Sequence, residues 1–389
     1  MSSVGAPGPV VARIDLGALR ANWAVLRAAA GRARLFAVVK ADAYGHGAPA
    51  VARTLRDAGC DAFAVARVSE LAVLRDAGLE GEVLVLGGTV DAAEADAALA
   101  LGATLALHHE EHVALAAAAA RRRSVCAAVH LEVDTGMRRM GVCSDDLPRL
   151  VARVAAEPSL RLAGVFTHFA RADEPGAPEA DAQLARFSAA LEAAKLPRDG
   201  SLLVHAANSA GILAGARLGP ALPEANAARP GLALYGVSPF GTSDGRASAL
   251  RPVMTLAARV VQTRRLARGD AVGYGSTWRA ERPTTVATVA AGYADGVPWA
   301  LGNRGAIALR GRRLPIVGRV SMDFVTVDAG DAPAALGDEA VLFGEAEAGA
   351  ISASEVAAAA GTIPYEILSR VAPRVPRVLV SDGGPRRPA

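Results

Sequence analysis

The sequence predicts an α/β chain: a (β/α)8 TIM barrel followed by a mostly β C-terminal domain. Three observations carry that prediction. Through the first two thirds of the 389 residues, short apolar, β-branched runs alternate with stretches whose apolar residues recur at helical spacing. Near Arg251 the helical periods give way to short β-rich runs punctuated by Gly and Pro. The length suits two domains, each able to bury a core.

In order, Leu19, Trp23 and Leu26 after Ile14-Asp15-Leu16 give a first helix. Strands are predicted at Leu35–Val39, Ala62–Ala66, Val83–Leu86, Thr104–Leu107, Val125–Val133, Leu160–Phe166, Leu202–His205 and Asn226–Arg229. Helices fall between most of them, at Ala48–Ala58, Glu70–Ala77, Ala92–Leu101, Glu110–Ala120, Leu147–Ala156 and Asp181–Ala194. Strands separated by helices in this number fit a closed barrel. A doubly wound sheet is the alternative, because the eighth run is the weakest. No repeat of fixed period stands out. Beyond Arg251, strands are expected at Val253–Thr263, Thr284–Ala290, Ala306–Leu309, Leu314–Val317, Phe324–Val327 and Ala340–Phe343, with one helix at Ser354–Ala360. The expected division is a tail over 1–11, a barrel over 12–245 and a β domain over 246–389, with a Pro/Gly/Ser-rich linker at Ser238–Arg251.

Composition narrows the function. The chain is 52% hydrophobic and 21% charged, which places it among globular proteins. A net charge of +3 points to neither a nucleic-acid nor a membrane partner. Three cysteines, Cys60, Cys126 and Cys143, are odd in number and widely spaced. They read as buried small residues in a reducing compartment, with neither a disulfide framework nor zinc spacing. Met1–Pro9 has no basic or apolar segment of a signal peptide, and no charge-free run reaches the ~18 apolar residues of a membrane span. A cytoplasmic protein is expected.

Chemistry concentrates after the strands. The run Ala37-Val38-Val39 ends on Lys40, followed by Ala41-Asp42-Ala43-Tyr44-Gly45-His46-Gly47. A strand-end lysine on an apolar floor loses hydration, its pKa falls, and its lone pair becomes available for a Schiff base. A lone strand-end Lys more often reaches solvent. Here Tyr44 and His46 crowd the same turn, and Gly45 and Gly47 let backbone approach a ligand closely. Arg138 and Arg139 follow the fifth strand, where an Arg can grip a carboxylate by two parallel hydrogen bonds; Arg138 reads as a surface ion pair. His168 ends the sixth strand and His205 lies on the seventh, both positions where a histidine is more often structural. His108, His109 and His112 read as surface-helical, without the carboxylates of a metal site. Asn208-Ser209 and Arg229-Pro230-Gly231-Leu232 follow the last two strands, where barrels commonly hold a phosphate on loop amides, and Tyr44 adds a phenol.

The motif VVKADAYGHG resembles the cofactor-lysine motif of alanine racemases. DTGMRRMG, THFARAD, HAANSAG, RPGLALYG, VGYGSTW, GYADG, GRVSMD and RVPR follow in that family's order, from about Ile14 to Pro376. The resemblance implies pyridoxal 5'-phosphate carried on Lys40. It places Tyr44, Asn208, Ser209, Gly231 and Leu232 around the phosphate and His168 beside the ring. Arg229 stands against the pyridine nitrogen; an arginine stays protonated and only donates, so the ring is a weaker electron sink and transamination is discouraged. Arg139 and the Met322 backbone N–H would meet the substrate carboxylate. Lys40 and Tyr274 would be the two bases, on the D and L faces, avoiding a single base that must swing across the plane. Tyr274 and Met322 would come from the partner in a head-to-tail homodimer. The implied reaction is interconversion of L- and D-alanine, supplying D-alanine for peptidoglycan.

Two positions depart from the family pattern. Glu132 stands where some members have a carbamylated lysine, and its carboxylate is expected to hold Arg139. Pro373 stands where some members have a tyrosine that touches the phosphate. Three alternatives remain open: a serine or broader-specificity racemase, a basic amino-acid decarboxylase of similar architecture, and a non-catalytic pyridoxal-phosphate-binding protein. A cationic clamp on the carboxylate and Arg229 weigh against the decarboxylase. The β domain with Tyr274 weighs against the carrier.

Overall fold

The protein was analysed as a computed structural model that describes residues 8–174, 176–197, 199–215, 222, 225–240, 245–346 and 348–380. Residues 1–7 of the expected tail, part of the expected linker and residues 381–389 lie outside the described residues.

Chain order begins with β1 (Val10–Asp15), whose last residue caps the first helix, Leu16–Ala29: Asp15 Oδ1 accepts from Ala18 N at 2.8 Å. Then come β2 (Arg34–Val38), β3 (Ala62–Val65), β4 (Glu82–Val85), β5 (Thr104–Leu107), β6 (Ala127–Asp134), β7 (Val142–Cys143), β8 (Leu160–Phe166), β9 (Leu203–His205) and β10 (Ala227–Ala228). Neighbours run β5–β4–β3–β2–β10–β9–β8–β6, and β5 pairs with β6, closing a parallel barrel of eight strands; β7 attaches outside β6. The strands are buried on both faces, which explains why they read as continuous apolar runs. Helices at Ala48–Asp57, Val68–Asp76, Ala92–Ala100, Glu110–Arg123, Leu147–Ala155 and Pro178–Ala193 cover the outside. Glu110 and Glu111 open one of them and Arg121, Arg122 and Arg123 close it, matching the helix dipole at both ends. The expected barrel is therefore present. Its eighth strand, predicted over four residues, is only Ala227–Ala228.

The second domain is built on β11 (Met254–Leu266), with β12 (Ala271–Val272), β13 (Trp278–Arg279), β14 (Thr284–Val289), β15 (Ala306–Leu309), β16 (Arg312–Pro315), β17 (Val325–Gly330), β18 (Glu339–Phe343) and β19 (Arg377–Val380). The sheet order is β16–β15–β18–β11–β1–β19, with β14 and β17 branching from β11. The thirteen-residue β11 serves β1, β14 and β18, with a register shift against β18 at Leu256/Ala257 and against β14 at Val260/Gln262.

One expectation is corrected here. Residues 10–15 do not form a tail and the start of the barrel; β1 lies in the second domain's sheet, antiparallel to β11 and parallel to β19. Arg13 fixes it there through two bonds to Glu339, at 2.7 and 2.9 Å. A helix covers the second domain at Ala353–Ala360, opened by a reciprocal Ser352/Glu355 cap.

Candidate active site

The chemistry-bearing residues collect at the C-terminal rim of the barrel strands, where such barrels carry their sites. Lys40 comes two residues after β2 and is only partly exposed. Its amine has no hydrogen-bond or ion-pair partner among the described residues. Burial lowers its pKa below the ordinary lysine value, the Arg139 and Arg229 cations push the same way, and Glu70 opposes them. A nucleophilic amine needs this shift.

The turn after Lys40 is unusual. Ala41, Asp42, Ala43 and Tyr44 all have φ of 52–54° and ψ of 39–50°, one left-handed helical turn without a glycine. Each such residue costs roughly 1–2 kcal/mol, so the surroundings must hold it. Glu70 bonds Ala41 N at 2.7 Å with one oxygen and Ala66 N and Arg67 N with the other. Asp42 Oδ1 accepts from Ala48 N, and Arg377 Nε donates to Gly45 O. The expectation that Gly45 and Gly47 admit a ligand is corrected. A Cβ on Gly45 would lie 2.4 Å from Leu368 O, so that glycine admits the chain's own backbone, and Gly47 faces open space.

Arg229 is 4% exposed and firmly held. Nη1 donates to His205 Nδ1 at 2.5 Å and to His205 O; Nη2 donates to Thr167 O at 2.7 Å and approaches His168 Nδ1 at 3.5 Å. Its guanidinium lies 4.7 Å from the Phe166 ring centroid. Burial lowers its pKa to about 10, against the pull of Glu132, which leaves it cationic at neutral pH. Burial and then Arg229 and Arg139 push His168 down to about 3, so that imidazole is neutral. His205 is fully buried, sits in the Arg229 network and passes a 2.8 Å bond to His130.

The corner expected to take a phosphate carries several donors. Asn208 caps the helix Ser209–Leu213 through Oδ1 to Gly211 N. Ser209 Oγ accepts from Gly231 N at 2.9 Å and Ala233 N at 3.2 Å, so the Gly231 amide is turned to Ser209, while the hydroxyl hydrogen of Ser209 is left to donate. Tyr44 leans over this corner: a Cβ at Gly231 would lie 2.5 Å from its hydroxyl oxygen, so only glycine fits. Burial, then Tyr365, raise the Tyr44 pKa, keeping a donor O–H that has no partner among the described residues. A protonated phenol, a serine hydroxyl and the Leu232 amide at the start of a short 3-10 helix suit a phosphate. Tyr365, passed over in the sequence, is tilted against Tyr44 with ring centroids 6.0 Å apart. A tyrosine therefore stands by this corner although position 373 is proline.

Three further expectations change. His108 is not on a helix surface: it is 4% exposed, follows β5, and places Nδ1 3.0 Å from Glu132 Oε2 and Nε2 3.1 Å from Leu86 O. Glu132 thus meets His108. Arg139 is exposed and has no hydrogen bond or ion pair among the described residues, so the expected Glu132–Arg139 contact is not seen. Cys126 and Cys143 are exposed; only Cys60 is buried. Arg138 pairs with Asp134 at the surface, 3.5 Å away, as expected. Among the described residues, no group of three or more His, Cys, Asp or Glu is placed to hold a metal ion.

Tyr274 and Met322 lie elsewhere. Tyr274 starts a turn between β12 and β13 and is 71% exposed; Met322 is 53% exposed. Among the described residues no hydrogen bond or ion pair joins either to Lys40. Tyr293, Trp299 and Phe324 are exposed too, and they are neighbours: Gly275 beside Tyr274 approaches the Arg319 guanidinium, which lies 5.8 Å from the Trp299 ring, and Tyr293 N bonds Ser321 O in the Met322 loop. The Met322 loop is nevertheless well anchored. Tyr293 N and Ala294 N donate to Ser321 O and Met322 O, and Arg374 bridges Asp295 (2.7 Å) and Asp323 (2.8 Å). A Cβ at Gly292 would strike Met322 O at 2.2 Å. GYADG, SMD and RVPR, distant in sequence, therefore form one support.

Fold and rim together define a two-domain (β/α)8-barrel protein with a desolvated lysine, a buried arginine and hydroxyl donors at the barrel mouth. Residues 14–239 match the family described as alanine racemase, N-terminal domain, and residues 253–379 its C-terminal domain. The chain belongs to the alanine racemase family. It is 40% identical to an alanine racemase of Sorangium cellulosum over 380 residues, covering 95% of this chain and 98% of that one. A solved alanine racemase from Streptomyces lavendulae superposes with a TM-score of 0.88 at 39% identity, covering 98% and 99%. One from Bartonella henselae, with covalently bound pyridoxal phosphate, gives 0.85 at 32% identity, covering 96% and 100%.

Proposed function

We propose that this chain interconverts L- and D-alanine with pyridoxal 5'-phosphate at the barrel mouth, in a homodimer whose subunits share each site. The observation that carries this is Lys40: a desolvated amine, flanked by Arg229 and Arg139 and followed on the same rim by unpartnered phosphate donors. When bound, the cofactor supplies an electron sink that acidifies the substrate Cα–H. Ser209, Tyr44 and the Leu232 amide would hold its phosphate. Arg229, cationic and fixed by three acceptors, can only donate to the ring nitrogen, which tempers the sink and favours return of the proton to Cα. Arg139, unpaired, is free to meet a substrate carboxylate.

Lys40 moves the proton on one face of Cα, and the partner subunit's Tyr274 moves it on the other. The exposed face around Tyr274 and Met322 supports that assembly, since clustered exposed aromatics mark interaction surfaces. Three free thiols support a reducing compartment, and we place the enzyme in the cytoplasm, providing D-alanine for peptidoglycan. The test is racemisation of L-alanine in heavy water by the cofactor-loaded protein, beside L-serine and larger amino acids. Deuterium at Cα of both alanine enantiomers is expected. A loaded protein that exchanges no Cα proton would overturn the reading in favour of a carrier.

A further inference from the structure

The left-handed turn beside Lys40 is held by several groups, and one of them does nothing else. His46 is fully buried, and its Nδ1 lies 2.9 Å from Ala43 O and 3.0 Å from Tyr44 O. Both partners are carbonyls, so Nδ1 must carry the proton. Among the described residues no other side chain bonds either carbonyl. Nε2 is then an acceptor, buried and without a partner among the described residues. The ring stacks on Tyr235 at 4.5 Å, and Tyr235 also packs on Tyr44 at 4.8 Å. The Tyr235 hydroxyl donates to Val38 O at 2.9 Å. A closed circuit results, from Val38 through Tyr235 and His46 to the Ala43 and Tyr44 carbonyls. Lys40 lies inside it, with backbone anchored two residues before and three residues after.

We propose that His46 is a positioning residue for Lys40: its Nδ1–H locks the left-handed turn and so sets where the amine enters the barrel mouth. The proposal rests on Lys40 being the reactive amine. Glu70, Asp42 and Arg377 hold the turn's flanks, at Ala41 N, Ala48 N and Gly45 O. The Gly47 amide bonds Asp42 O and the His46 amide reaches Ala43 O, but among the described residues the His46 imidazole is the one side chain that bonds the last two carbonyls of the turn, Ala43 O and Tyr44 O. Burial pushes the imidazole pKa down to about 4, so the ring stays neutral, with one donor, across the working range.

The test has two parts. In the apoprotein labelled with 15N-histidine, long-range proton–nitrogen correlation at neutral pH should show His46 as the Nδ1–H tautomer, with that proton protected from exchange. An Nε2–H tautomer would overturn the proposal, whatever the enzyme's activity. Then His46→Asn, which keeps a donor at the Nδ1 position, is compared with His46→Gln and His46→Phe. The rate at which Lys40 condenses with added pyridoxal 5'-phosphate, read by absorbance, and kcat should fall about 100-fold in the Gln and Phe variants. KM should change little, and the Asn variant should stay within about three-fold of the parent. Equal loss in Asn and Phe, or no loss in Phe, would contradict it. If the parent condenses with the cofactor but fails to racemise, the proposed reaction fails while the condensation rates still decide the role of His46.

Discussion

The barrel mouth and the Tyr274 face of the second domain are built in opposite ways. At the mouth nearly every polar group is tied: Arg229 to His205 and Thr167, Glu132 to His108, Ser209 to the Gly231 amide. Among the described residues, Lys40, Arg139 and the Tyr44 hydroxyl are left without a hydrogen-bond or ion-pair partner, and the Ser209 hydroxyl keeps its hydrogen to donate. On the other face the backbone is anchored, through Arg374, Asp295 and Asp323, but the side chains are bare. Tyr274 is 71% exposed. On the reading proposed above, one region holds a ligand and the other presents two side chains to a partner subunit. Neither is a complete acid–base site.

The comparison is broken most easily at Lys40. Lys40→Ala should abolish covalent cofactor absorbance and lower racemisation by ~10⁴-fold, the upper range for losing a positioned acid–base group. Retained activity would move the chemistry away from the mouth. Measured kcat and a visible spectrum decide it.

Acid sharpens the contrast next. All seven histidines, His46 to His205, precede the second domain, and His46, His130 and His168 have pKa values pushed below 6.5, to about 4, 3 and 3. Burial is the first cause for each. The unfolded chain then binds protons that the fold does not between pH 6.5 and about 4. Stability is full above pH 6.5 and falls through that window, on the order of 3 kcal/mol for His46 alone. The barrel should feel this and the second domain should not. Trp23 is buried in the barrel half and Trp278 and Trp299 lie in the other, so a variant with both of the latter replaced by Phe reports the barrel. Its urea midpoint should fall between pH 7 and 4.5. An unchanged midpoint would show that these imidazoles titrate normally.

The smallest effect belongs to the second-domain support. Arg374→Ala removes the bridge that ties Asp323 of the Met322 loop to Asp295 but leaves the backbone bonds of Tyr293 and Ala294. Alanine KM should rise about five-fold or less, the scale of a half-exposed ion pair, with kcat nearly kept. A large fall in kcat would mean the loop positions a base.

Much of this was legible before the structure, and unevenly. Most barrel strands fall within a residue or two of their predicted spans, because β-branched runs buried on both faces leave a local trace. β1 gave no such trace of its sheet, since its partners Met254–Ala258 and Arg377–Val380 are far along the chain. The left-handed turn was also hidden: Ala, Asp, Ala and Tyr disfavour that conformation, and only the contacts of Glu70, Asp42 and His46 impose it. Tyr365 carried no signal in the sequence, because only the fold brings it to Tyr44, more than three hundred residues earlier in the chain. Lys40, Arg229 and Ser209 were readable because each follows a strand that delivers it to the same rim.

The central claim is that Lys40 and the partner subunit's Tyr274 make one site. Mixing inactive Lys40→Ala and Tyr274→Phe subunits tests it directly, under conditions where dimers exchange. A mixed dimer holds one intact pair, so an equal mixture should recover roughly a quarter of the parent activity. Recovery that stays at the level of the two inactive proteins would contradict a site shared between chains.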